Sequence, residues 1–166
     1  MANSDKKTPS PVHDLRSALA LLKTLPGEYV ETDTEVDPHA ELSGVYRYVG
    51  AGGTCQRPTR KNGPVMVFNK IKGFDDISVA IGLNGSRQRV SQFLQCEPAK
   101  LAHLLKDSVE NAISPTMVQG TAVCQEVVHL ASDADFDLRK LLPAPTNTEE
   151  DAGPYITMGL CYASDP

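Results

Sequence analysis

No part of the 166-residue chain approaches the roughly 18 to 20 consecutive apolar residues that a spanning helix requires. The run from Ala18 to Leu22 covers only five positions. An excess of cations is missing too: 16 Lys and Arg stand against 21 Asp and Glu, a net charge of −5. With no overall basic field, nucleic acid and anionic membrane are not expected partners. Paired cysteines are also lacking. Cys55, Cys96, Cys124 and Cys161 lie 41, 28 and 37 positions apart with no C-x-x-C, so four reduced thiols are expected instead of a disulfide framework or zinc knuckle. Behind the polar, lysine-bearing N-terminus there is no apolar h-region, which makes the cytoplasm the expected compartment. No period of 20 to 50 residues recurs, so a repeat architecture has no support. What is present is ordinary for a globular protein: 40% hydrophobic and 22% charged residues, enough chain for one core with or without part of a second domain.

Local patterns divide that chain. Residues 1–13 combine lysine, serine and proline with little to bury and are expected to form a flexible tail. From Asp14 onward, Leu15, Ala18, Leu19, Leu22 and Leu25 share one helical face, with Asp14 as N-cap and Pro26-Gly27 as terminator. Tyr29 to Thr32 reads as a short strand. Asp37 at N-cap and Pro38 at N1 then open a second helix carrying Leu42, Val45, Tyr46 and Val49, which Gly50-Ala51-Gly52-Gly53 must end. Pro64 to Phe68 and Ile77 to Leu83 are β-branched apolar runs and read as paired strands between amphipathic helices. Ser86 caps the next helix, whose apolar stripe is Val90, Phe93 and Leu94. Pro98 starts a further one with Leu101, Leu104, Leu105 and Ala112. Val123 to Leu130 is a strand candidate, Leu138 to Leu142 a helical turn, and Tyr155 to Tyr162 alternates like a half-buried strand. The last of these has no closing neighbour and is expected to be mobile or to seek another strand edge.

Few of these residues compose a recognisable reaction centre. His13, His39, His103 and His129 lack H-x-x-x-H or H-E-x-x-H spacing. His39 is expected in the first turn of its helix. Asp133, Asp135 and Asp137 open like a calcium loop, but Leu138 and Ala144 replace its obligatory glycine and glutamate, so a capping turn is the better reading. Gly50 to Thr54 follows a helix, not a strand, and no G-K-[ST] is present, which argues for a helix stop and loop over a phosphate loop. Gly82-Leu83-Asn84-Gly85-Ser86-Arg87 does run from strand to helix, the geometry for an anion, yet a turn and N-cap require the same residues.

Longer motifs carry more information. Asp14-Leu15-Arg16 with Glu35-Val36-Asp37-Pro38, then Gly82 to Arg87 with Arg89-Val90, then Ala144-Pro145-Thr146-Asn147-Thr148 with Asp151-Ala152-Gly153-Pro154-Tyr155-Ile156-Thr157 occur in one order and spacing. Together they resemble the N-terminal part of the UbiD family of decarboxylases. Glu41 to Tyr48 followed by Gly50 to Thr54 and Gln56-Arg57-Pro58-Thr59 is similar to the gallate and 4-hydroxybenzoate decarboxylase branch of that family.

The resemblance implies an α+β fold: an N-terminal domain over 14–120, then residues 121–166 as the start of a split-barrel flavin-binding domain. It further implies a carboxy-lyase that decarboxylates gallate, protocatechuate or 4-hydroxybenzoate with prenylated flavin mononucleotide (prenylated FMN), Mn2+ and K+. An aromatic carboxylic acid substrate, a homo-oligomer and a flavin prenyltransferase as cofactor supplier follow from it as partners. The family's catalytic arginine and acids, and its metal and flavin ligands, lie beyond the D-A-G-P-Y-I-T segment. No catalytic or metal residue is therefore assigned, and Thr157 is the one residue the resemblance puts near the cofactor. A truncated, inactive decarboxylase fragment is expected; the alternative is a non-catalytic interaction or assembly module that associates with a complete decarboxylase chain.

Overall fold

A computed structural model describes residues 12–117 and 119–156. The tail expected over 1–13 therefore lies outside the described residues except for its last two, and so do positions 157–162 of the final expected strand. Tyr155 and Ile156, at its start, are irregular backbone.

The first helix, α1 (Leu15–Lys23), starts where its cap predicts. Asp14 Oδ1 accepts from Ser17 N at 2.7 Å, and Ser17 Oγ accepts from Asp14 N at 3.0 Å. This reciprocal capping box satisfies two of the four free donors at a helix start. Strand β1 (Tyr29–Thr32) follows, then α2 (Glu41–Gly50), β2 (Val65–Phe68) and β3 (Val79–Ile81). β1 runs parallel to β2 with Tyr29 opposite Val65, and β2 runs antiparallel to β3 with Met66 opposite Ile81. The α2 crossover is what permits the parallel pair. The sheet order β1-β2-β3 leaves β2 central, and all four of its side chains are buried.

One face of that sheet carries a core of Val36, Leu42, Met66, Phe68 and Ile71, with Tyr46, Val49, Val79 and Ile81 packed around it. Val65 and Val67, which alternate to the opposite face, are buried as well, as are Ala18 and Leu22 of α1. Helix α3 (Arg87–Phe93), a 3-10 turn (Pro98–Lys100), α4 (Leu101–Glu110), a second 3-10 turn (Val123–Gln125) and α5 (Leu138–Leu141) complete the described elements. Helix and strand are thus mixed, as expected.

α1 ends at Lys23 and α4 at Glu110, so Leu25 and Ala112, expected on their apolar stripes, lie just beyond them, and three larger local expectations fail. α2 begins at Glu41, not after Asp37, because the Asp37 carboxylate turns back to accept from His39 N at 2.9 Å and pairs with Lys72 at 2.8 Å. This Asx turn precedes Ala40, whose φ of 63° is non-helical, so His39 sits before the helix. Val123 to Leu130 is no strand: it has one 3-10 turn and then irregular chain, since a β-branched run without a neighbouring strand has nothing to pair with. In α3 the buried side chains are Arg89 and Ser91, while Val90, Phe93 and Leu94 are half-buried.

Candidate functional site

Arg89 reverses the usual rule that a cation faces water. Its side chain is fully buried at one end of the sheet, where Nε and Nη2 each lie 2.8 Å from Glu28 Oε2. Nη1 donates to Gly82 O and Nη2 to Gly63 O, both at 2.6 Å. One guanidinium thereby ties together the chain before β1, before β2 and after β3. The strand-to-helix turn that resembles an anion site is consumed by this arrangement. Gly82 has a φ of 89°, and a Cβ there would stand 2.5 Å from the Tyr46 hydroxyl, so glycine is required for backbone and packing reasons together.

On the far side of β3, the segment from Leu142 to Ile156 runs along the sheet's edge strand and encloses an open cleft of about 380 Å³. Its lining includes Val79, Ile81, Leu83, Pro143, Pro145 and Ile156. A clasp holds the segment in place. Ala40 N donates to both Thr146 O at 3.2 Å and Thr146 Oγ1 at 3.1 Å, and Ser43 Oγ donates to Asn147 Oδ1 at 2.9 Å. Asp151 closes the turn: Oδ2 accepts from Asn147 N at 2.7 Å, Thr148 N at 3.0 Å and Tyr155 Oη at 3.1 Å. The Thr148 amide above all, then that of Asn147, holds the Asp151 carboxyl below its ordinary range. The T-N-T-x-x-D pattern is therefore a docking device that fastens this segment to the start of α2. Its hydroxyl, amide and carboxylate spacing is the signal that would have found it.

A second opening, of about 490 Å³, lies between α2 and the glycine-rich loop and is lined by Arg47, Tyr48, Thr54, Cys55 and Gln56. Gly52 and Gly53 have φ of 88° and 80° and end the helix as expected. Cys55 and Cys96 are free thiols. Asp133 accepts from Leu130 N at 2.8 Å, and Asp137 caps α5 through Arg139 N at 3.0 Å, which bears out a capping role. His129 stacks on Phe136 with ring centroids 6.3 Å apart. Among the described residues no three His, Cys, Asp or Glu side chains come together as metal ligands, and no helix is long and apolar enough to cross a membrane. The edge cleft also lacks Lys and Arg. The described residues thus show no donor set for a divalent metal, and the edge cleft shows no cation for a flavin phosphate. Thr157 lies outside the described residues.

Residues 21–108 match the 3-octaprenyl-4-hydroxybenzoate carboxy-lyase N-terminal domain, and residues 116–166 match the Rift-related domain of the same proteins. The chain belongs to the UbiD family. It is 51% identical over 152 residues to the gallate decarboxylase of Lactiplantibacillus plantarum, covering 91% of this chain and 31% of that relative. The apo 3,4-dihydroxybenzoic acid decarboxylase of Enterobacter cloacae superposes with a TM-score of 0.74 at 55% identity, over 87% of this chain and 29% of that one. An evolved dimeric form of the UbiD-class enzyme HmfF from Pelotomaculum thermopropionicum, in complex with prFMN, gives 0.69 at 29% identity, over 88% and 31%. This UbiD-family chain therefore spans about a third of the length of the relatives it matches.

Proposed function

We propose that the chain is part of a non-oxidative hydroxyarylic acid decarboxylase of the gallate, protocatechuate or 4-hydroxybenzoate type, which acts with prenylated FMN, Mn2+ and K+. The observation that supports this reading is the 51% identity sustained over 91% of the chain to a gallate decarboxylase. Domains over 14–120 and 121–166, a place for Thr157 near the cofactor, and a cytoplasmic homo-oligomer supplied by a flavin prenyltransferase belong to the same reading. The 166-residue chain alone is inactive. What supports this is its span, 31% of the gallate decarboxylase it matches, because a cofactor enzyme depends on all the groups that hold and orient the cofactor.

Two measurements test this. The purified chain, incubated with prenylated FMN, Mn2+, K+ and each phenolic acid, is expected to release no carbon dioxide and to show no stoichiometric flavin absorbance. A chimera joining it in frame to the unmatched portion of the L. plantarum relative is expected to bind the cofactor and decarboxylate at least one of the three acids. A folded, cofactor-loaded chimera without turnover on any of them would refute the decarboxylase assignment.

A further inference from the structure

Helix α4 has the pattern of a packed amphipathic helix, yet among the described residues none covers it fully: Leu101 and Leu104 are half-buried and Leu105 and Val109 are exposed. Leu101, Leu105 and Val109 recur at helical spacing on one stripe, with Lys106 and Glu110 paired on another side. Yet no α4 residue is buried, and Val109 is 80% exposed. Exposed apolar side chains continue along the chain past the helix. Ile113 is 95% exposed and Val123 is 89% exposed, and no described residue from 92 to 145 is buried. Of the 17 large hydrophobic side chains exposed among the described residues, 12 fall between Leu105 and Leu142. So many exposed apolar side chains within one stretch of sequence are the mark of an interface, in contrast to the scattered exposed hydrophobics of an ordinary surface.

The family match indicates what covers it. Nine of those twelve side chains, from Met117 to Leu142, lie in the stretch that matches the Rift-related domain. The chain spans only 31% of the relative that carries that domain whole. We infer that α4 and residues 113–117 and 119–142 form a docking arm for the portion of a UbiD-class chain that the described residues do not contain, and that this portion binds even as a separate polypeptide. The partner's identity rests on the decarboxylase reading above, whereas the exposed surface does not.

The test mixes the purified 166-residue chain with the separately expressed unmatched portion of the L. plantarum relative. Light scattering on the mixture is expected to find an equimolar complex. Hydrogen exchange is expected to slow at amides 101–110 and 123–128 on mixing. Val109→Asp with Val127→Asp is expected to weaken association by about thirtyfold or more, as a charge placed in an apolar hot spot does, while Leu15→Asp on α1 leaves it unchanged. Because these side chains are exposed, circular dichroism of the variant chain verifies that it still folds. Self-association of the chain through the same residues, without the second polypeptide, would overturn the assignment of the partner. A chimera that turns over alongside separate halves that never associate would overturn the docking inference and leave the decarboxylase reading intact. Separate halves that associate while the loaded chimera is inactive would support docking and refute the activity alone.

Discussion

Replacing Arg89 by methionine isolates what the buried guanidinium contributes to the sheet. Methionine approximates the volume of the arginine stem and removes every donor, so Glu28 Oε2, Gly63 O and Gly82 O lose contacts of 2.6 to 2.8 Å at once. Breaking a buried ion pair by removing one partner costs about 3 to 5 kcal/mol, because the remaining charge and acceptors stay desolvated. Glu28 moderates this, since its side chain is 27% exposed and water can take over part of its solvation. Gly63 and Gly82 are half-buried too, so a loss at the lower end of that range, about 3 kcal/mol, is expected. Against a total stability of about 5 to 15 kcal/mol, that shifts the unfolding midpoint visibly. Urea unfolding followed by far-ultraviolet circular dichroism measures it. Glu28→Gln alone is expected to cost about 1 kcal/mol, and the double variant less than the sum of the singles, as for groups in one network. If Arg89→Met unfolded within about 0.5 kcal/mol of the parent, the cluster would be energetically neutral, its desolvation cancelling its contacts, and the reasoning would fail.

Other outcomes follow from single contacts. Gly63→Ala is expected to destabilise by about 1 to 3 kcal/mol in the same assay, because its Cβ would meet backbone at Gly50 Cα only 2.5 Å away. Glu31 is held down to about 2, first by the Asn69 amide and then by Lys23 and Tyr29. A carboxylate with a depressed pKa adds stability that is complete above its unfolded value near 4.5 and is lost as pH falls toward about 2. Asn69→Leu is expected to raise the Glu31 midpoint in a carboxyl-detected NMR titration; an unchanged midpoint would rule out the amide as the main cause. Asp151→Ala is expected to speed hydrogen exchange at Asn147 and Thr148, the amides its carboxylate accepts from. In the parent the same opening is expected only once pH drops below the ordinary aspartate range, because those amides lower its pKa.

Elements governed by nearest neighbours were legible before any coordinates. Asp14 and Ser86 cap α1 and α3 through side-chain contacts within three residues, and Gly52 and Gly53 stop α2 by their own φ. The three strands of the sheet fall within the apolar runs expected for them. Where a residue's fate depends on distant partners, periodicity misleads. Val90, Phe93 and Leu94 have the spacing of an inner face, but α3 turns Arg89 inward because Glu28 and two carbonyls, 61, 7 and 26 positions away, converge there. Asp37 has the form of an N-cap, yet Lys72, 35 positions on, and the His39 amide, two positions on, claim its carboxylate.

The candidate site divides along the same line. The hydroxyls and acid of Thr146 to Asp151 resemble any polar linker in composition, and only Ala40 and Ser43, more than 100 positions earlier, make them a clasp. Ala40 adopts a positive φ that alanine rarely takes, and its amide is held by two acceptors on Thr146. A strained backbone persists where its surroundings over-determine it, so the strain and the clasp explain each other: the start of α2 is shaped to receive the segment that walls the edge cleft. The opposite error occurs at Val123 to Leu130, where side-chain composition suggests a strand that the described residues do not form. Composition there records the burial these side chains are suited to, while backbone pairing requires a neighbour. The same mismatch, apolar sequence without burial, is what marks the arm from Leu105 to Leu142 as a surface suited to a partner.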